Sequence, residues 1–139
     1  MSFLDAFQCY YQIPLALPDQ EKTAFFTLIG NYHYRVMQFG LKNTGSTYQK
    51  MMMKMFEAQL GKNVEAYIDD IVVKSKQVSE HLRDLDEVFS ILRKHTLCLN
   101  AFKCFFGVGS EKFLGYMITH RGIEVNLDQI RAIHNLHPP

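Results

Sequence analysis

The stretch VEAYIDDIVVKS, residues 64–75, sets two adjacent carboxylates, Asp69 and Asp70, between short arms rich in Val, Ile, Ala and Tyr. β-Branched and aromatic residues fit a pleated surface and Asp favours turns, so the stretch predicts a tight hairpin with both carboxylates at its tip. Like charges within ~4–6 Å raise the cost of ionising both, and a cation would remove that cost. Upstream, Asp5 lies inside the apolar string FLDAF at residues 3–7, where a lone buried charge is expensive unless paired or coordinated. A strand carrying Asp5 beside this hairpin would bring three carboxylates to one sheet edge. Oxygen-only ligands of this kind suit Mg²⁺, which is usually held by one or two carboxylates plus substrate phosphates. Two such ions about 3.5–4 Å apart activate a hydroxyl and stabilise a phosphate leaving group. The plainer alternative is an acidic turn, with Asp5 capping a neighbour or facing water.

Working outward, SFLDAF and YYQIPLAL predict a strand, a short turn and extended chain, interrupted by Pro14, Pro18 and Asp19. KTAFFTLIGNYHYRVMQF, residues 22–39, predicts a β-hairpin turning at Gly30-Asn31. Asn43, Thr44 and Ser46 offer capping oxygens to an amphipathic helix through YQKMMMKMFEAQL, where Tyr48, Met52, Met55, Phe56 and Leu60 recur at helical spacing before Gly61. Its Met51, Met52, Met53 and Met55 read as adaptable packing. Ser79 is placed to cap a second helix through residue 95, with Leu82, Leu85, Phe89 and Leu92 on one face and Arg93, Lys94 and His95 at the end the dipole favours. LCLNAFKCFFG and KFLGYMITHRGIEV predict short strands and turns, and NLDQIRAIHNL a helix that stops at Pro138-Pro139. This order describes an α+β domain, with helices on one face of a mainly antiparallel sheet.

At 139 residues the chain suits a single domain, and 47% hydrophobic with 21% charged residues excludes a disordered or collagen-like segment. Apolar runs fall far short of the ~20 residues a membrane helix needs, so no membrane is expected. Net charge is +1, so nucleic-acid binding has to come from local patches. Residues 35–76 carry net +3, residues 77–92 net −3 and residues 93–121 net +4, although a solvated surface would show the same counts. Cys9, Cys98 and Cys104 form no CxxC pair and the His are scattered, which argues against a disulfide framework or zinc site and for a reducing, intracellular compartment.

YIDD between apolar arms, preceded by FGLKNTGSTYQ and FLDAF-x3-YQI, resembles the reverse transcriptases of gypsy-class LTR retrotransposons over essentially the whole chain. The resemblance implies a polymerase palm with a ferredoxin-like core: residues 1–34 the first catalytic strand and the start of a finger/palm hairpin, 35–125 the palm with the YIDD hairpin and primer grip, 126–139 the start of a thumb. It implies RNA-directed DNA synthesis, with dNTPs added to a primer 3′-hydroxyl on an RNA or DNA template. It makes Asp5, Asp69 and Asp70 ligands of two Mg²⁺ ions, with Mn²⁺ a possible substitute. Tyr10 matches an aromatic steric gate against the 2′-hydroxyl, Phe39 and Gly40 the nucleotide pocket, and Lys42 and Gln49 positions near the template. Tyr67 belongs to the Y-x-D-D signature at the substrate site, Lys103 matches a general acid for pyrophosphate, and Phe113, Leu114 and Gly115 match the primer grip. Solvated or core side chains are the rival reading for each of these neighbours.

The sequence departs from the family pattern in three segments. Met37-Gln38-Phe39-Gly40 lacks the usual Pro, Cys9 and Gln8 stand where Gly and Ser are usual, and Thr44-Gly45 replaces the commoner Ala-Pro, though Gly there is also a familiar variant. Only four residues precede Asp5, so truncated fingers and thumb and little activity from this piece alone are expected. Implied partners are the remaining Pol segments (fingers, thumb, RNase H, integrase), within a cytoplasmic virus-like particle of the parent element. A non-catalytic transposon relic or an RNA-binding palm-like module is the alternative.

Overall fold

The computed structural model describes residues 1–119, 121–124 and 127–135. At its centre, β5 (Asp70–Val73) lies between β1 (Ser2–Asp5) and β4 (Val64–Tyr67) in an antiparallel sheet of order β1-β5-β4. The sequence DIVV suits a strand buried by neighbours on both sides. Register pairs Leu4 with Ile71 and Asp5 with Asp70, and on the other side Ala66 with Ile71 and Tyr67 with Asp70. Because side chains alternate between faces, Leu4, Ile71, Val73, Val64 and Ala66 share one face, and Phe3, Asp5, Asp70, Val72 and Tyr67 the other.

Two helices cover the apolar face. Tyr48, Met52 and Met55 of α2 (Thr44–Met55) and Leu85, Val88 and Leu92 of α3 (His81–Lys94) join Leu4, Val64, Ile71 and Val73 in one core. Burying each such side chain contributes ~1.5–3 kcal/mol. A one-residue slip of β1 would turn Leu4 out of that core, so packing fixes the register that sets Asp5 opposite Asp70. Residues 99–105 close the outer edge of β1: Phe3 and Phe105 exchange both backbone hydrogen bonds at 2.8 Å, and Ala6 bridges Leu99. Further out lie α1 (Leu17–Gln20), the hairpin of β2 (Phe25–Thr27) and β3 (Gly30–Tyr32), and α4 (Leu127–His134). A second antiparallel sheet has the order β6 (Ser110–Phe113), β7 (Tyr116–Thr119), β8 (Gly122–Glu124).

Several local expectations are corrected. The β-structure is divided among separate sheets, because short strands and the exposed β2–β3 hairpin find no common layer. That hairpin turns at Leu28-Ile29, with Gly30 inside β3 at φ 144°. The chain after β1 is not extended; it coils into single helical turns at Cys9–Gln12 and Leu17–Gln20, the second with Pro near its start, where its missing N–H costs nothing. Ser79 does not cap α3, which begins at His81 after a turn of 3-10 helix at Val78–Glu80. Its buried stripe runs through Asp84, Leu85, Val88 and Leu92, leaving Leu82 79% exposed. None of the proposed oxygens caps α2 either: Thr44 Oγ1 donates instead to the Gln38 carbonyl and Ser46 Oγ to that of Asn43. Of the methionines, Met52 and Met55 pack as expected while Met53 is exposed. The expected stop of the last helix at Pro138-Pro139 lies outside the described residues, as do His120, Val125 and Asn126.

A polar chain threads the far end of the sheet. Ser2, fully buried, shares a 2.7 Å hydrogen bond with His81 Nε2; His81 Nδ1 lies 2.9 Å from Ser75 Oγ, which donates to Asp84 Oδ2 at 2.5 Å. With Ser75 donating to Asp84, His81 donates from Nδ1 and accepts from Ser2 at Nε2, while Gly107 N–H donates to Ser2 Oγ at 3.1 Å. This network ties β1, the end of β5, α3 and the loop before β6 together.

Candidate active site

The hairpin between β4 and β5 turns on Ile68 and Asp69, since Tyr67 pairs directly with Asp70. Asp70 is therefore the first residue of β5, and only Asp69 of the two carboxylates lies in the loop; the expected tip at Asp69-Asp70 is shifted by one residue. Ile68 has φ 50°, a left-handed conformation that a β-branched residue rarely adopts and that costs about 1–3 kcal/mol. Gln49, on α2, holds it there. Its Oε1 accepts from Ile68 N–H at 2.7 Å and its Nε2 donates to the Ala66 carbonyl at 3.0 Å, clamping the hairpin backbone on both sides of Tyr67.

The carboxylates meet across two loops. Asp5 and Asp70 are register partners, and Ala6 N–H donates to the Asp69 carbonyl at 3.0 Å, drawing the Asp69 turn against the end of β1. Burial, then the charges of Asp5 and Asp69, push the Asp70 carboxyl above its ordinary range, while Lys103 pulls the other way. Lys103 follows from the docked segment: Asn100 N–H donates to the Asp5 carbonyl at 2.8 Å, and the 3-10 turn Ala101–Lys103 brings Lys103 Nζ to 3.7 Å from Asp5 Oδ2. Asp5, Asp70, Lys103 and Phe113 line one cavity of about 280 Å³ with Phe3, Phe102 and Phe105.

Asp69 does not line that cavity, and its Oδ1 is buried without a hydrogen-bond partner. As they stand, no three His, Cys, Asp or Glu side chains among the described residues are arranged to hold one ion. The donor set is nevertheless oxygen-only and mutually repulsive, the chemistry that a hard divalent cation relieves.

An aromatic cluster borders the acids. Tyr10 packs edge-on against Phe39 (centroids 4.8 Å apart) and Tyr48 (5.5 Å), and Phe39 also meets Tyr11 (5.7 Å). Burial, then Cys9, Asp69 and Tyr67, raises the Tyr10 hydroxyl above its usual range, which locates it beside the acidic site. Gly40 follows at φ 90°, a conformation that favours Gly. Tyr67 is half-exposed across from Asp70. Lys42 lies apart, on a cleft with Leu15, Met37 and Thr47. Leu114 and Gly115 form the β6–β7 turn, both at positive φ, while Phe113 faces the cavity.

Residues 1–118 match the family described as reverse transcriptase (RNA-dependent DNA polymerase). The chain belongs to the reverse transcriptase family. Relatives include the Pol polyproteins of the Drosophila melanogaster transposons opus, 37% identical over 98% of this chain, and gypsy, 31% identical over 98%. The chain spans 14% and 13% of their respective lengths. Among solved structures, a foamy viral protease-reverse transcriptase in complex with RNA/DNA hybrid superimposes with a TM-score of 0.86 at 25% identity, covering 99% of this chain and 19% of that one. The same viral protein in complex with double-stranded DNA gives 0.87, covering 29% of that chain. The chain thus resembles the reverse transcriptases of gypsy-class transposons over nearly its whole length, with mixed helices and sheets that match a retroviral relative. Among the described residues no helix is long and apolar enough to cross a membrane.

Three contributors to the site of this reverse transcriptase are not legible in the sequence. Cys9 is buried where the charges of Asp69 and Asp5 reach its thiol, and Tyr48, which reads as helix packing, holds a buried hydroxyl without a hydrogen-bond partner. Gln49 was placed near the template, whereas its amide engages the hairpin. A polar residue at a helix position facing an acidic turn was the available signal.

Proposed function

We propose that this chain is the palm of an RNA-directed DNA polymerase, which in its parent polyprotein adds dNTPs to a primer 3′-hydroxyl on an RNA or DNA template. The observation that carries this reading is the register pair Asp5–Asp70, with Asp69 in the adjoining turn and Lys103 3.7 Å from Asp5 on one cavity. Asp5, Asp69 and Asp70 would hold two Mg²⁺ ions, or Mn²⁺ in their place. Bound there, the ions supply Lewis acidity to the 3′-hydroxyl and charge neutralisation to the departing pyrophosphate.

The protein's own groups do the rest. Tyr10, buttressed by Phe39 and Tyr48, presents a fixed ring to the sugar and disfavours a 2′-hydroxyl. Phe39 and Gly40 border the nucleotide, and Tyr67 flanks it beside Asp70. Lys103, on a segment fastened to β1, gives a proton to pyrophosphate. Phe113, with the Leu114-Gly115 turn, steadies the primer end, and Lys42 lies toward the template. Residues 1–34 begin the finger/palm hairpin, 35–125 complete the palm and 126–139 open the thumb. Relatives that are Pol polyproteins support partners in the same polyprotein. The same reading puts the parent element in a cytoplasmic virus-like particle.

Extension of a DNA primer on an RNA template with Mg²⁺ tests this, comparing the parent polyprotein with its Asp69→Asn form. Activity lost in the variant is expected; equal extension by both forms ends the metal assignment.

A further inference from the structure

Tyr10 stands in a single 3-10 turn, Cys9–Gln12, entered through Gln8 at φ 45°, a left-handed conformation that the surroundings must impose on a residue other than Gly. One such turn is not stable by itself. Its own backbone bonds run from Tyr11 N–H to the Gln8 carbonyl at 2.9 Å and from Ile13 N–H to the Tyr10 carbonyl at 3.0 Å. The side chain of Gln12 supplies more. Its Oε1 accepts from Cys98 N–H at 2.7 Å, and its Nε2 donates to the Cys98 carbonyl at 3.0 Å and to the Phe7 carbonyl. A single amide thus pairs with both backbone groups of Cys98, as a neighbouring strand would, and closes the loop from Phe7 to Gln12 upon itself. One N–H and two carbonyls face it, so its partners fix which way the amide points. Phe7 N–H also donates to the Cys98 carbonyl at 3.0 Å and Ala6 bridges Leu99, so the loop is fastened to the segment that runs on to Lys103.

The Tyr10 ring itself has softer contacts. It lies edge-on to Phe39 and Tyr48, with centroids 4.8 and 5.5 Å away, and a Cβ added at Gly45 would come no nearer than 3.9 Å to its hydroxyl. Ring packing of this kind leaves room to slide, whereas three hydrogen bonds hold the backbone from which the ring projects. We propose that Gln12 is a positioning residue: its amide sets the height of the Tyr10 ring and thereby the choice between a deoxyribonucleotide and a ribonucleotide. The inference rests on the reading of Tyr10 as the group that meets the sugar.

Two measurements test it, one of position and one of selectivity. In this chain, nitration of Tyr10 by tetranitromethane, located by mass spectrometry and referred to the half-exposed Tyr116, reports how freely the turn opens. Gln12→Met keeps the length and removes every hydrogen bond of the amide, and is expected to speed Tyr10 nitration about fivefold. In the parent polyprotein, the ratio of kcat/KM for a dNTP to that for the matching rNTP is read by primer extension, a ratio unaffected by the fraction folded. Misplacing a group by about 1 Å can cost on the order of 100-fold, and Gln12→Met, whose turn stays tethered at Ala6 and Ile13, is expected to lower the ratio about tenfold. Gln12→Glu, which sets a carboxylate against the two carbonyls, is expected to do the same, and is read instead if Gln12→Met does not fold. Tyr10→Ala separates the two claims. Native discrimination in Tyr10→Ala overturns the sugar reading of Tyr10, and the selectivity claim for Gln12 with it. Lost discrimination in Tyr10→Ala, with native discrimination or unchanged nitration in Gln12→Met, overturns the positioning role alone.

Discussion

Replacing Gln49 with Ala removes the two hydrogen bonds that hold the Ile68-Asp69 turn from below, from Ile68 N–H to Oε1 at 2.7 Å and from Nε2 to the Ala66 carbonyl at 3.0 Å. Each is part-buried, so the loss costs about 1–1.5 kcal/mol per bond, giving roughly 2–3 kcal/mol in all. Unfolding entropy near 2.1 cal/mol/K per residue over 139 residues turns this into a melting temperature lower by about 7–10 °C. Ile68, no longer held at φ 50°, would be free to relax, and Asp69 would lose its fixed approach to β1. Gln49→Glu sharpens the test. At pH 7 its carboxylate still accepts from Ile68 but opposes the Ala66 carbonyl, so it melts nearly as low as Gln49→Ala. At mildly acidic pH the protonated side chain donates again and stability recovers relative to native. Circular dichroism melts of this chain at both pH values are the assay. A shift under about 2 °C for Gln49→Ala refutes the clamp and returns Gln49 to a role toward the template alone.

Asp70 carries a raised pKa, so the native state holds its proton more tightly than the unfolded chain does, and stability falls as pH climbs through that raised value from the ordinary 3.8. Asp70→Asn should raise the urea midpoint of the metal-free chain at pH 7 by relieving the burial and repulsion of this charge, a gain trimmed by solvent at a carboxyl that is only partly buried, with little change near pH 3; a lower midpoint at pH 7 contradicts that relief. His81 shifts the other way: burial, then the terminal amine, lowers its pKa below 6.5 against the pull of Asp84. Its contribution is present above 6.5 and fades as pH falls, so His81→Asn should flatten the decline in stability between about pH 7.5 and 5.5 seen in urea titrations. Lys103→Ala, removing an exposed partner 3.7 Å from Asp5, should leave the melting temperature within about 2 °C of native yet cut primer extension by the parent polyprotein. Phe56→Ala, at a fully buried core position, should cost about 3–5 kcal/mol and unfold much of the chain at 37 °C, measured by loss of near-ultraviolet dichroism.

The legible parts of the fold were those written in period and composition. The β-branched and aromatic arms of Val64–Val73 around Asp69-Asp70 and the 3.6-residue spacing in Tyr48–Phe56 are enough to read the hairpin and helix, and their packing sets Asp5 opposite Asp70. Positions decided by tertiary contact were not legible. Gly30-Asn31 is a turn dipeptide, yet the backbone turned two residues earlier, where Thr27 Oγ1 and the Gly30 carbonyl close the loop at 2.8 Å. Leu82 fits an apolar stripe, but α3 rolls so that Asp84 faces inward to receive Ser75, and Leu82 rotates to solvent. Nothing local to Ser2, Ser75 or His81 announces a network joining residues so far apart in the chain.

Position and orientation of the site were therefore legible to different depths. Asp5 and Asp70 could be placed together from the sequence because each sits at the end of an apolar strand whose register the core dictates. The placement of Asp69 could not, because it depends on a turn with Ile68 in a left-handed conformation and on Gln49 from a neighbouring helix. A two-residue loop with that conformation at its first position ordinarily takes Gly. Here an isoleucine occupies it, packed against the core and clamped by Gln49, so the strain is held by the same layer that aligns the strands.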